Sequence, residues 1–200
     1  MKLERLKFKS SGLFSVSLED CPPMVLDDVS VYRLGLKEGM EVDGELFEKI
    51  CTLSGQEGAK RAAARLLTAG RKTELEVRQK LRLKGFGQED IDCAVAIFLK
   101  NGIINDREYA ADYIKDAVRL KKYSIRQIGQ KLALKGIDRE TVAELTKGLT
   151  DDNQLYALIE SELKRCPDKK GVERLKRRLC SKGFSLWDIN RVLGEYDYET

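Results

Sequence analysis

A six-residue phrase occurs three times and constrains most of what this chain can fold into. Leu81-Arg82-Leu83-Lys84-Gly85-Phe86 returns as Leu132-Ala133-Leu134-Lys135-Gly136-Ile137, and again as Leu179-Cys180-Ser181-Lys182-Gly183-Phe184. The glycines stand 51 and then 47 residues apart, a period of the helical-repeat kind. A glycine just past a helix end takes the left-handed backbone conformation that other residues resist. With Gly85 in that role, Leu81 and Phe86 occupy the two positions whose side chains meet in a Schellman cap; Leu132 with Ile137 and Leu179 with Phe184 form the same pair. The lysine before each glycine sits at the negative end of the helix dipole.

The register extends to both sides of the phrase. One turn before each leucine stand Val77, Ile128 and Leu175. Six residues after each glycine come Ile91, Val142 and Ile189; nine after come Ala94, Leu145 and Val192; thirteen after come Phe98, Leu149 and Tyr196. These offsets trace a single stripe along a further helix. Thr73 with Glu76, Ser124 with Gln127, and Asn105 with Glu108 have capping-box spacing. Each unit therefore holds three helices: a first (around residues 58–67, 106–120 and 152–164), a capped middle one, and an amphipathic third. Units this short bury little alone and must stack on their neighbours.

The first fifty residues read differently. Phe14, Val16 and Leu18 alternate with Ser15, Ser17 and Glu19, which is strand periodicity. Val25, Leu26, Val29, Val31 and Leu34 suggest one or two more strands, and a helix is expected from near Asp43 through Leu46, Phe47 and Ile50. The expected fold is mainly all-α: tandem three-helix repeats stacked into an elongated, curved array, with a small N-terminal β-rich extension. The divisions are residues 1–52 for the extension and 53–105, 106–150 and 151–200 for the repeats.

Charge is distributed unevenly. Residues 1–57 carry 7 basic and 11 acidic side chains, net −4, whereas residues 58–200 carry 30 and 22, net +8. A basic helical body suggests a polyanionic or acidic partner. Its most informative pattern is a basic pair on each middle helix, one residue before and three after the repeat leucine: Lys80 and Lys84, Lys131 and Lys135, Arg178 and Lys182. Stacked repeats would line these up as a positive stripe, extended by Lys121, Lys122 and Arg126. The alternative is a merely solvated face on which Lys84, Lys135 and Lys182 serve only as helix-end cations. Tyr109 and Tyr113, one turn apart, suit core packing better than base stacking. Trp187 is expected to pack against the final helix stop.

Enzyme chemistry finds little support. No histidine is present, which removes Ser-His-Asp triads, Cys-His dyads and Cys/His zinc sites. Neither a Walker-type phosphate loop nor a dinucleotide-binding glycine pattern occurs. Ser161 and Lys164 have Ser-x-x-Lys spacing, a weak pattern in an ordinary helical stretch, and the Asp27-Asp28 and Asp151-Asp152 pairs fit turns and caps. Cys21, Cys51, Cys93, Cys166 and Cys180 form no Cys-x-x-Cys and are expected to be buried thiols of a reducing compartment. The expectation is a cytoplasmic, non-enzymatic protein without cofactor or metal, since the first residues lack the apolar core of a signal peptide and the longest apolar run, Cys93 to Leu99, cannot span a bilayer.

The motifs in their order resemble the RecX family. Arg71-Lys72-Thr73-Glu74-Leu75 followed by Leu81-x-x-Lys84-Gly85-Phe86 resembles its first repeat, and Gly102-Ile103-Ile104-Asn105-Asp106 with Tyr109, Ala110 and Tyr113 resembles the junction to its second. Ile128-x-x-x-Leu132-x-x-Lys135-Gly136-Ile137 resembles the second-repeat core, and Leu36-Lys37-Glu38-Gly39-Met40 the N-terminal extension of longer members. Two departures stand out: Tyr123-Ser124 replaces a glycine-containing turn, and the third copy lacks a clean Ser/Thr cap. The resemblance implies tandem three-helix repeats that bind in the groove of the RecA–single-stranded DNA filament and impede its growth, ATP hydrolysis, strand exchange and co-protease role. A monomer is expected, since nothing in the sequence demands a dimer, with single-stranded DNA as a secondary contact and no membrane partner. A direct DNA-binding helical repeat protein is the competing reading.

Overall fold

The computed structural model describes residues 1–9, 12–120, 123–163 and 169–195. They form two compact units, residues 1–105 and 106–200.

The first unit begins with an antiparallel meander of β1 (Leu3–Lys9), β2 (Leu13–Leu18) and β3 (Met24–Asp27), ordered β1-β2-β3. Phe8 faces Phe14 and Val16 faces Met24 across the ladders. The alternation in β2 turns Val16 and Leu18 inward, where they join Leu3, Leu26 and Ile50 in a core. The chain then departs from the strand expected through Val29 and Val31. Asp27 accepts the Ser30 amide at 2.8 Å and caps the short helix α1 (Asp28–Arg33), so a local cap overrides the β-branched composition.

A second departure follows. The two helices expected near residues 43–50 and 58–67 are one, α2 (Gly44–Thr68), which runs through the expected division after residue 52. Its N-terminal half packs Ile50 against the sheet, and its C-terminal half packs Ala63 against Val77, Leu81, Ile91 and Val95. No proline or helix stop interrupts residues 44–68, so nothing ends the helix between the two cores. Helices α3 (Glu74–Leu83) and α4 (Gln88–Lys100) complete the first repeat, and α3 opens with both halves of the Thr73–Glu76 capping box.

The second unit holds α5 (Asp106–Arg119), α6 (Ile125–Ala133) and α7 (Arg139–Thr146), then α8 (Asp152–Leu163), α9 (Lys169–Ser181) and α10 (Leu186–Gly194). One core gathers Ala110, Ile114, Ile128, Leu132 and Ile137; another gathers Leu155, Ile159, Leu175, Leu179, Phe184 and Ile189. Val142 and Leu145 pack at the edge of the first of these. Leu149, expected on the same stripe, lies beyond the end of α7 and is exposed. Tyr196 falls outside the described residues.

All three middle helices end in the same hydrogen-bonded motif. The amides of Phe86, Ile137 and Phe184 donate to the carbonyls of Leu81, Leu132 and Leu179 at 3.4, 3.1 and 3.2 Å. Those of Gly85, Gly136 and Gly183 donate to Arg82, Ala133 and Cys180 at 2.9, 3.0 and 2.9 Å, with glycine φ of 85°, 87° and 90°. These are the paired bonds of a Schellman cap.

The third stop also joins two repeats. Ser124, the N-cap of α6, donates its amide to the Lys182 carbonyl at 3.1 Å, and Gln127 Nε2 donates to the Ser181 carbonyl at 2.9 Å. The end of α9 thus gives its free carbonyls to the free donors at the start of α6. Gln127 is drawn away from a reciprocal capping box, although its amide still donates to Ser124 Oγ. Asp151 closes the junction by accepting the Ile125 amide at 2.8 Å. Burial pushes the Asp151 carboxyl above its ordinary range against that hydrogen bond, and the nearby charges of Asp188 and Asp152 push the same way.

Two predictions follow from the junction. A methyl group at Gly85 meets nothing within 4 Å, whereas at Gly183 it lies 2.4 Å from Ser124 Oγ and 2.9 Å from Gln127 Cβ. Gly85→Ala should therefore cost only the left-handed strain, about 1–2 kcal/mol. Gly183→Ala should cost roughly 1 kcal/mol more through the disturbed Ser124 cap, read as a lower urea midpoint of the second unit. For Asp151, a raised folded value means that its stabilisation is full below the unfolded value of about 3.9 and is lost as pH rises through the folded one. In Asp151→Asn the side chain still accepts from Ile125 but cannot titrate. Thermal melts from pH 7 to pH 4 should show the unsubstituted protein gaining on this variant as pH falls; a constant difference contradicts the assignment.

Candidate functional site

The basic pairs take their positions from the helix stops, because each stop fixes which residues lie in the last turn of the middle helix. Sequence equivalence does not give them equivalent surroundings. Lys80 and Lys84 are exposed, and neither makes an ion pair among the described residues. Lys84 also borders a depression of about 510 Å³ that is lined by Arg65, Ala62 and Phe86.

In the second repeat the pair leans onto aromatic rings. The Lys131 ammonium lies 4.4 Å from the Tyr123 ring centroid, and that of Lys135 lies 5.3 Å from the Tyr109 ring. Tyr109 in turn stacks on Tyr113 at 6.5 Å and 15° against the repeat core. These tyrosines pack as expected, and their π faces hold lysines. In the third repeat Arg178 is ion-paired with Glu162 of α8, which offsets its charge. Lys182 is half-buried, with its carbonyl engaged by Ser124. Arg126 lines the groove between α6 and α7, whereas Lys131 and Lys135 rest on Tyr123 and Tyr109. Lys121 and Lys122 lie outside the described residues.

The structure adds residues that sequence reasoning passed over. Leu83 and Leu134 are 87% and 82% exposed, each immediately before a capping lysine. The signal was present, since a residue two after a buried helical leucine points about 200° away from it. In two repeats, then, a bare leucine stands between two cations. On α9, Lys170, Arg174 and Arg177 line a broad cationic depression together with Glu173.

Other expectations are corrected. Trp187 is 71% exposed and does not pack under the final stop; its ring faces the Arg191 guanidinium at 5.6 Å. The position two residues before Ile189 points outward for the same helical reason. Cys51 and Cys180 are exposed thiols, while Cys21 and Cys93 are half-buried; Cys166 lies outside the described residues. Ser161 donates its hydroxyl to the Leu158 carbonyl, an ordinary helix back-bond, and Lys164 lies outside the described residues. Asp27 caps α1, and Asp152 pairs with Arg191 at 2.5 Å. Among the described residues no group of three His, Cys, Asp or Glu could hold a metal ion, and no helix is long and apolar enough to cross a membrane.

A small antiparallel sheet followed by three-helix repeats, each middle helix stopped by the same glycine cap with cations beside it, defines a helical-repeat protein. Comparison with known proteins agrees with this class. Residues 59–96 match the family model for the first three-helix domain of RecX, and residues 105–145 match that for the second. Regulatory protein RecX of Clostridium beijerinckii is 32% identical over 173 residues, covering 80% of this chain and 80% of that protein. Regulatory protein RecX of Caldanaerobacter subterraneus subsp. tengcongensis is 25% identical over 189 residues, covering 94% of this chain and 95% of that protein. A crystal structure of a regulatory protein RecX shares the fold, with a TM-score of 0.76 at 19% identity over 96% of this chain and 98% of that one. The chain belongs to the RecX family of regulatory proteins.

Proposed function

We propose that this chain is a non-enzymatic regulator that binds the RecA–single-stranded DNA filament and inhibits its recombinase, ATPase and co-protease activities. In this reading it acts as a cytoplasmic monomer in recombination, DNA repair and the SOS response, and touches single-stranded DNA only secondarily. The observation that carries the reading is the recurrence of cations at one structural position, beside the stop of each middle helix. A filament presents the same surface at regular intervals, and a repeat protein answers it with one contact per repeat. Many weak cationic contacts also steer association with an acidic or phosphate-bearing surface.

The bare leucines favour a protein surface as the main partner. Leu83 and Leu134 gain nothing from a phosphate backbone, whereas a protein surface that covers them removes their apolar area from water. Direct DNA binding draws its support from Lys170, Arg174 and Arg177, and would be strongly salt-dependent.

The test is the ATPase rate of the cognate RecA on single-stranded DNA with this protein titrated below one per subunit. Inhibition well below stoichiometry is the expected result. The triple variant Lys80→Glu, Lys131→Glu, Arg178→Glu should lose it while keeping its helical circular dichroism. Lys80→Glu alone should account for more of the loss than Arg178→Glu, because Glu162 already offsets Arg178. Undiminished inhibition by the triple variant contradicts the proposal, as does a protein that only shifts naked DNA in a salt-sensitive manner.

A further inference from the structure

The seam between the middle and third helices is closed in the first repeat and open in the second. Seven and three residues before the stop glycine, and seven after it, the first repeat carries Arg78, Arg82 and Asp92. Arg78 binds Glu74 at 2.7 Å and also pairs with Asp92, whose carboxyl it holds below the ordinary range. Arg82 donates to Gln88 at 2.8 Å, and Gln88 donates to Asp92 at 3.0 Å. These side chains bridge α3 and α4 and cover the seam.

In the second repeat the same three positions hold Gly129, Ala133 and Ala143. These three positions have no side chain that could bridge α6 and α7, and a groove of about 390 Å³ opens between them, within the range of ligand-sized pockets. Its walls include Ile125, Ile137 and Val142. Gly129 sits in the interior of α6, where glycine disfavours a helix. A methyl group there would lie 3.4 Å from Val142 Cγ1, so the groove wall at this position is bare backbone beside Val142. The third repeat does not share this set, having Lys176, Cys180 and Asn190 instead.

Two guanidiniums border the groove. Arg126 and Arg139 both line it, both are exposed, and neither makes an ion pair or a side-chain hydrogen bond among the described residues. Planar guanidiniums beside an apolar slot match carboxylates flanking an apolar side chain. No aromatic ring lines the groove, so a nucleobase finds no stacking platform there.

We propose that the α6/α7 groove is a docking site for an acidic segment of a partner protein, which inserts one large apolar side chain and sets its carboxylates on Arg126 and Arg139. The site is separate from Lys80, Lys131 and Arg178 and does not rest on their role.

The experiment is an amide NMR titration of the full chain with the acetylated peptide Glu-Asp-Leu-Phe-Asp-Glu. Its counterpart with serine at both apolar positions and a short oligothymidylate serve as controls. The apolar peptide should shift amides across residues 125–143 saturably, and the serine peptide should bind about tenfold more weakly or worse. Ala133→Arg with Ala143→Asp, which places in the groove two of the side chains (those of Arg82 and Asp92) that cover the first repeat's seam, should weaken binding by a similar factor. Arg126→Glu with Arg139→Glu should do the same without unfolding, because both positions lie in first helical turns where acidic side chains suit the dipole. Unchanged amides outside the groove report that each variant is folded. The proposal fails if millimolar peptide leaves residues 125–143 unshifted, or if Ala133→Arg with Ala143→Asp binds the peptide equally well. It also fails if oligothymidylate, and not the peptide, shifts those amides.

Discussion

The hydrogen bond from the amide after each stop glycine back to a leucine carbonyl is the constraint on which the repeats depend. It ends the middle helix at one residue and turns the chain so that Phe86, Ile137 or Phe184 covers the leucine that closes the turn. The third helix then starts three residues after the glycine in each repeat, which brings Ile91 and Ile189 into the cores and Val142 to the edge of its own. Only a residue tolerant of φ near +85° to +90° can make this turn without strain. At Gly183 the absence of a side chain serves a second purpose, because Ser124 and Gln127 of the neighbouring repeat occupy the space where a side chain would be. A folding signal in one repeat has thereby become a packing surface for another.

Because the stop sets the register, it also decides what the surface displays. The cations beside it in the first repeat contribute little to the fold. Lys80 and Lys84 pair with nothing among the described residues, and exposed pairs such as Lys49 with Glu45 contribute only about 0–1 kcal/mol. Residues of small consequence for stability that recur at one structural position are free to answer to a partner. The three repeats have diverged in how they hold this charge: open in the first, resting on tyrosines in the second, partly offset by Glu162 in the third. The α6/α7 seam has diverged in the same way, from a bridged surface to an open groove.

What could be read from residue order is what depends on short-range rules. Glycine stops, Thr73 and Ser124 caps, and the stripe of Ile91, Ala94 and Phe98 each follow from a spacing of a few residues. The helical class, the three-helix units and the small N-terminal sheet were visible for that reason. What escaped depends on competition between rules or on tertiary surroundings. Val29 and Val31 favour a strand, yet Asp27 caps a helix through them. Residues 44–68 contain two apolar segments, and nothing in the spacing says that one helix serves two cores. Trp187, in the first turn of the last helix, is expected against the final stop, although its offset from Ile189 points it outward. The basic pairs were visible, but Tyr123, Tyr109 and Glu162, which set their environments, are distant in the chain. The groove is least visible of all, because glycine and alanine announce nothing until the bridging side chains of another repeat show what is missing.

The most direct test of the account is hydrogen–deuterium exchange of this chain, alone and with RecA assembled on single-stranded DNA. The account predicts that added protection falls on the C-terminal turns of α3, α6 and α9, around Lys80 to Lys84, Lys131 to Lys135 and Arg178 to Lys182. Protection confined to residues 1–52, with exchange in those three turns unaltered, would contradict it.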